Sequence, residues 1–210
     1  KKIYESIVSQ NDKGEYAEHF EPAQNKMLSA YIDRYITHDV SPYTSEANLL
    51  VDGWLKACFD IIARGVVLLI DYGFPAHEYY HPDRTMGTLM CHYQHKAHTN
   101  PFAHPGNEDI TAHVNFTHVA DAALNAGFEV LGYTTQAAFL LALGLLSLLE
   151  TELNAPNLRE KEKIQLKQPV KQLLEPHEMG DLFKVMALGK AFEHPLTGFQ
   201  LHDKRASLDQ

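Results

Sequence analysis

Asp71, Tyr72 and Gly73 directly follow the uninterrupted apolar run Val66–Ile70, so an acid and a phenol stand just past what reads as a strand. Ligands of open α/β sheets sit beyond the carboxyl ends of the strands, which places Asp71 and Tyr72 where chemistry usually happens. A strand that merely ends in a turn explains the same Asp and Gly. A second group, Asp109-Ile110-Thr111-Ala112-His113-Val114-Asn115-Phe116, sets acid, hydroxyl, imidazole and amide in front of a helix. Capping explains Asn115 and can explain Thr111, but it leaves Asp109 and His113 without a structural reason. Glu46 follows Ser45, and its spacing alone favours a helix-dipole partner over a catalytic carboxylate.

Cys91, His92, His95 and His98 lie close together, with His104 and His113 nearby. These residue types ligate zinc and iron when their side chains converge. Three histidines at i, i+3 and i+6 would instead spread across a helix face, and no HExxH or CxxC pattern is present. Histidines bonded to loop backbone are the simpler reading, so no metal ligand is assigned. Neither a Gly-x-Ser-x-Gly elbow nor a Walker loop occurs.

The elements that must position these groups follow from periodicity. Ile3–Val8 and Glu15–Phe20 read as strands around the turn Asn11-Asp12-Lys13-Gly14. Met27, Leu28, Tyr31, Ile32, Tyr35 and Ile36 recur at helical spacing. Ser45 reads as the N-cap of a helix whose buried stripe is Leu50, Trp54, Ala57, Cys58, Ile61 and Ile62, stopping at Arg64-Gly65. Val66–Ile70 reads as a central strand of a parallel sheet, covered on both faces. Phe74 to Thr111 lacks clear periodicity and reads as a long functional loop. Asn115 caps a helix closed by Gly127, Phe128–Tyr133 is a strand, Ala137–Leu149 a buried helix, and Leu182–Leu188 a last strand. Asn157–Gln172 reads as an exposed helix or linker, and the chain from Pro195 as a loose tail.

The 210 residues, 45% of them hydrophobic, suffice for one large domain or two small ones. A formal charge of −9 disfavours nucleic acid and anionic lipid, and it leaves a basic protein partner open. Two cysteines make no disulfide framework, so a reducing, cytoplasm-like compartment is expected. The apolar run Ala137–Leu149 is shorter than the roughly 20 residues of a spanning helix, so a soluble protein is expected. Helices alternating with strands indicate an α/β sheet.

One ordered series carries a resemblance. Val67-Leu68-Leu69-Ile70-Asp71-Tyr72-Gly73, Glu78-Tyr79-Tyr80, Gly87-Thr88-Leu89, Asn100-Pro101 and Asp109–Phe116 come in that order. Thr135-Gln136-Ala137-Ala138-Phe139-Leu140 and Gly180-Asp181-Leu182-Phe183-Lys184-Val185 follow. With Tyr43-x-Ser45-Glu46 and Trp54, the series closely resembles the MidA family of S-adenosylmethionine-dependent methyltransferases. The mitochondrial relative of that family is a complex I assembly factor that methylates arginine.

The resemblance implies the C-terminal part of a Rossmann-like class I methyltransferase fold over residues 1–195. Within it, 74–111 would be an inserted lid or substrate loop, and 196–210 a tail. The Gly-rich cofactor loop, the ribose-binding acid and the Asn-Glu-x-x-Asp-type segment of the family's first half do not occur here. Together with a start at Lys1 rather than methionine, this leads to the expectation that the cofactor-binding half is absent and that the chain alone is inactive. S-adenosylmethionine is then the cofactor of the full-length enzyme, and no residue here is assigned to hold it. Glu46, Asp71 and His113 are the catalytic candidates, with Tyr72, Asp109, Thr111 and Asn115 as substrate-binding candidates. A protein substrate, with a respiratory complex I subunit as one candidate, is expected, without nucleic acid or membrane. A second copy could cover an incomplete sheet. The compartment would be cytoplasm in a bacterium or mitochondrial matrix in a eukaryote. The rival readings are a non-catalytic protein-interaction module and a metal-dependent hydrolase built on the loop histidines.

Overall fold

A computed structural model describes residues 2–156 and 158–209. In chain order the elements are β1 (Tyr4–Gln10), β2 (Tyr16–Pro22), α1 (Lys26–Tyr35), α2 (Val51–Ile61), β3 (Gly65–Phe74) and α3 (Ala76–Tyr79). Then come β4 (Met90–Tyr93), β5 (Lys96–His98), β6 (Asp109–Thr111), β7 (Val114–Asn115), α4 (Phe116–Ala126) and β8 (Glu129–Thr135). Last are α5 (Gln136–Ala142), α6 (Leu145–Leu153), α7 (Glu160–Leu174) and β9 (Phe183–Lys190). Asn157, at the start of the expected linker, lies outside the described residues. The chain divides into two compact units: residues up to Leu49 with Ala76–His113, and Leu50–Pro75 with the residues from Val114 onward.

The first unit contains the β1–β2 hairpin, paired antiparallel from Tyr4↔Pro22 to Gln10↔Tyr16. Its turn closes because the Asn11 side chain accepts from the backbone of Lys13 and Glu15, while Gly14 supplies a φ of +81°. The Asn25 side chain caps α1 by accepting from the Met27 amide at 2.9 Å. The stretch expected to be an open loop instead holds a small antiparallel sheet of order β5-β4-β6. Its strands are three or four residues long and rich in His and Lys, too short and too polar to show a period.

The second unit contains a four-stranded sheet of order β7-β3-β9-β8. The expectation of a central parallel strand needs correction. β3 is antiparallel to β9 along Gly65↔Lys190 to Tyr72↔Phe183, and parallel only to the two residues of β7. Nor is it covered on both faces, since Leu68 and Ile70 are exposed. Gly73 is needed where β7 approaches, because a Cβ there would lie 2.2 Å from the Val114 carbonyl oxygen.

The core of this unit is Leu55 from α2, Phe116, Val119, Ala122 and Ala123 from α4, Tyr133 from β8, and Met186 and Leu188 from β9. Asn115 caps α4 as expected, accepting from the His118 amide, and Gly127 ends the helix at φ +106°. Ser45 does not start α2, which begins at Val51. The helix is also rotated from the expected stripe: Val51, Leu55, Cys58, Phe59 and Ile62 face the core, and Leu50, Trp54 and Ile61 are exposed. Both sets have helical spacing, so periodicity could not choose between them.

The expected buried helix over Ala137–Leu149 is two helices, bent 63° at a break where Gly144 has φ +84°. α6 buries no residue. No single helix is long and apolar enough to cross a membrane among the described residues. The segment after Pro195, expected to be loose, is packed: Phe199 and Leu208 are buried in the core. It is tied to β8 by Lys204 N–H donating to the Tyr133 carbonyl and by the Arg205 guanidinium donating to Val130.

Candidate functional site

The seven candidate residues divide between the units. Glu46, Asp109, Thr111 and His113 belong to the first; Asp71, Tyr72 and Asn115 belong to the second.

In the first unit Glu46 is outside any helix and makes a dense set of polar contacts. Its carboxylate accepts from the Thr88 amide at 3.0 and 3.1 Å, the Leu89 amide at 3.1 Å, the Thr88 hydroxyl at 3.0 Å and the Tyr79 phenol at 3.2 Å. Two amides and two hydroxyls converge on one ion, the arrangement in which a half-buried carboxylate is fully compensated. Gly87 makes this approach possible, having φ +72° and room for a Cβ only 2.2 Å from Glu46 Oε1. The Thr88 hydroxyl in turn accepts from the His113 amide at 3.0 Å, so Glu46 and His113 are joined through one side chain.

Behind Glu46, its backbone carbonyl accepts from the Tyr80 hydroxyl at 2.9 Å, and Tyr31 shares the Tyr80 hydroxyl at the same distance. Burial pushes the Tyr79 phenol far above its ordinary range; the Thr88 contact opposes this and the Glu46 charge adds to it. Tyr79 is therefore a neutral donor at any physiological pH. Thr111 donates to the Met90 carbonyl at 3.2 Å, which ties β6 to β4. Asp109 is exposed and stands opposite His92 in the ladder.

In the second unit Asp71 and Tyr72 lie inside β3, opposite Lys184 and Phe183 of β9, and the strand runs on to Phe74, so they do not stand past its end as the sequence reading expects. Asp71 is exposed, and one carboxylate oxygen accepts from the Tyr72 amide at 2.8 Å. The Tyr72 ring meets Phe183 edge to face at 5.5 Å. Asn115 is occupied as the cap of α4.

Several polar groups of these units carried no assignment in the sequence. Thr88 was visible only as part of Gly87-Thr88-Leu89, and its role depends on a partner 42 positions away. His118, buried in α4, has Nε2 2.9 Å from Asp52 Oδ2 on α2 and so joins the two helices by a polar contact. Lys184 sits inside the apolar strand β9, where its ammonium donates to the carbonyls of Asp181 and Leu182 and lies 5.1 Å over the Phe74 ring. A lysine in an otherwise apolar run was the one available signal.

Residues 1–134 match the family described as "Putative S-adenosyl-L-methionine-dependent methyltransferase". A methyl transferase candidate from Burkholderia thailandensis, bound to S-adenosyl-homocysteine, superposes with a TM-score of 0.89 at 36% identity, covering 99% of this chain and 52% of that one. A second structure from the same organism, of an uncharacterized COG1565 superfamily protein, gives a TM-score of 0.87 at 37% identity, covering 97% of this chain and 53% of that one. The Drosophila melanogaster "Protein arginine methyltransferase NDUFAF7 homolog, mitochondrial" is 30% identical over 144 residues, 64% of this chain and 30% of the relative. The chain thus spans about half the length of the solved relatives and about a third of the curated one. The mixed α/β fold is that of the S-adenosyl-homocysteine-bound relative. By the match over residues 1–134, the chain belongs to this family of S-adenosylmethionine-dependent methyltransferases, the group that the MidA resemblance anticipates.

Proposed function

We propose that the protein containing this chain methylates a nitrogen of a protein-borne arginine, with S-adenosylmethionine as donor. The observation that carries this reading is the likeness, along nearly the whole chain, to a structure bound to S-adenosyl-homocysteine, the product left after methyl donation. The arginine acceptor rests on the Drosophila relative's name and on the net charge of −9, which suits a cationic substrate.

The donor supplies an electrophilic methyl group. No Gly-rich strand-to-helix turn is present in these 210 residues, so none of them is assigned to hold it. What this chain contributes is acceptor binding. A guanidinium presents its N–H groups as a planar fork that pairs with carboxylates, and fixing its plane orients the nitrogen that attacks. Asp71, exposed and with one oxygen uncommitted by Tyr72, is the carboxylate suited to that task. Tyr72 would line the same position. In methyl transfer the N–C bond forms as the C–S bond breaks, and the nitrogen's proton leaves to a base or water.

Glu46 is already fully engaged, so its role here is to hold Gly87–Leu89 and, through Thr88, the backbone at His113. Asp109 stands on the exposed ladder of the same unit. The cytoplasm, or the mitochondrial matrix in a eukaryote, is the compartment that goes with this reading.

The test uses the protein at the length of its relatives with isotopically labelled donor and an arginine-rich protein acceptor. Methylarginine in the hydrolysate is expected, and Asp71→Asn should lower kcat/KM about 10²-fold. Label on another residue type would overturn the acceptor. Normal turnover in Asp71→Asn would remove Asp71 from the site. A protein that binds acceptor without transferring methyl would be an interaction module.

A further inference from the structure

The β4–β5 hairpin turns through Gln94 and His95, both at positive φ (47° and 65°), the two-residue turn type that matches strand twist. That turn fixes the register Cys91↔His98, and β4 pairs on its other side as Cys91↔Ile110. Residues directly opposite in an antiparallel pair share a face, and side chains alternate along each strand. Cys91, His98 and Ile110 are therefore on one face, and Glu108 lies in the connection just before β6. His92 and Asp109 are on the other.

The ligand-type atoms of Cys91, His98 and Glu108 all lie within 4.8 Å of one another. Cys91 is fully buried, and so is the carboxylate of Glu108. Glu108 Oε1 accepts from the His104 amide at 3.3 Å, while Oε2 has no hydrogen-bond partner among the described residues. It stands 3.0 Å from His98 Nε2, close enough for an ion pair but not aligned as a hydrogen bond, and neither His98 ring nitrogen has a hydrogen-bond partner among the described residues. A buried carboxylate oxygen beside an unbonded imidazole is costly as it stands. The same spacing is natural when both atoms point at a common cation, since ligands about 2.0–2.1 Å from a tetrahedral zinc are roughly 3.3 Å apart.

We propose that Cys91, His98 and Glu108 form a zinc-binding site within the small β5-β4-β6 sheet. One sulfur, one nitrogen and one carboxylate oxygen are a ligand set for zinc rather than for calcium or magnesium. The fourth position falls to water or an incoming ligand. The His104 amide holds the carboxylate from behind, as outer partners of metal ligands do. Glu108 also belongs to the lining of an open depression, together with Gly106, Asn107 and Asp109. The site clips the 99–108 connection to the hairpin, so bound metal would order the segment that joins β5 to β6. It involves none of the residues assigned to the methyl acceptor.

The test is cobalt titration of the 210-residue chain, purified without a histidine tag and stripped with chelator. One equivalent of cobalt should produce a near-ultraviolet thiolate-to-cobalt band that zinc displaces. Cys91→Ser should abolish the band, and His98→Gln and Glu108→Gln should each weaken binding by at least about tenfold. His92→Gln, on the opposite face, should leave it unchanged. Circular dichroism of each metal-free variant separates loss of the site from loss of the fold. Absence of the band in the folded chain overturns the site. A band that persists unweakened in folded His98→Gln and Glu108→Gln overturns this ligand set.

Discussion

The two units of the chain are held by different kinds of interaction. The second hides Leu55, Phe116, Tyr133, Met186 and Leu188 together, a core that is apolar and non-directional. The first buries chiefly Tyr31, Tyr35, Tyr79, Tyr80 and Cys91, and its order comes from hydrogen bonds that converge on Glu46. An apolar core accepts any set of side chains that fills the volume, whereas a polar cluster accepts only those that keep each donor matched to an acceptor. The segment that carries Asp109 and His113 therefore depends on one carboxylate, while the strand that carries Asp71 depends on volume.

The contrast is sharpest for large truncations. Leu55→Ala should lower the stability of the second unit by about 2–5 kcal/mol, read as a shifted denaturation midpoint with unchanged slope. In the first unit Glu46→Gln keeps the shape but replaces one acceptor oxygen with a donor, leaving the Thr88 and Leu89 amides in competition for the other. A loss of about 1–3 kcal/mol is expected, visible as faster hydrogen exchange at those two amides. Amides of β9 should keep their protection in that variant. If they lose it together with Thr88 and Leu89, the units share one cooperative transition and the comparison fails.

The smallest effect is in alkali. Because the Tyr79 phenol is raised above its ordinary value of 10, the folded state holds that proton more tightly than the unfolded chain. Its contribution is complete below pH 10 and is lost as pH rises beyond it. Tyr79→Phe should therefore flatten the decline of stability above that pH in denaturation measured along a pH series. An unchanged slope would mean that Tyr79 is not the group responsible.

Local rules were readable in the sequence where the partner is near. Asn115 and Gly127 bound α4 because cap residues act within a turn of the helix they close, and Asn11 to Gly14 make their turn for the same reason. Ser45 and Glu46 misled because the groups that satisfy Glu46 arrive from Thr88 and Leu89, far along the chain. Strand direction was equally hidden: the run Val66–Ile70 is apolar whichever way its neighbour points, and β9 runs opposite to it. Gly144 breaks an apolar run whose composition alone suggested one buried helix. In the candidate site, the strand expected to stop at Ile70 runs on through Asp71 and Tyr72 to Phe74, and Asn115 is spent on capping. The Cys91–His98 pairing needed the two-residue turn, which the helical spacing test of the histidines could not reveal.

The pairing of β3 with β9 also has a consequence in time. Gly65 meets Lys190, made more than about a hundred positions later, so a ribosome working at about 5–20 residues per second leaves β3 waiting on the order of ten seconds for its partner. During that interval Val66–Ile70 is a nascent apolar segment with no ladder of its own, whereas the β4–β5 hairpin can close almost as soon as it emerges. Chaperone demand during synthesis should therefore be concentrated on the earlier strand and relieved only when β9 has been made.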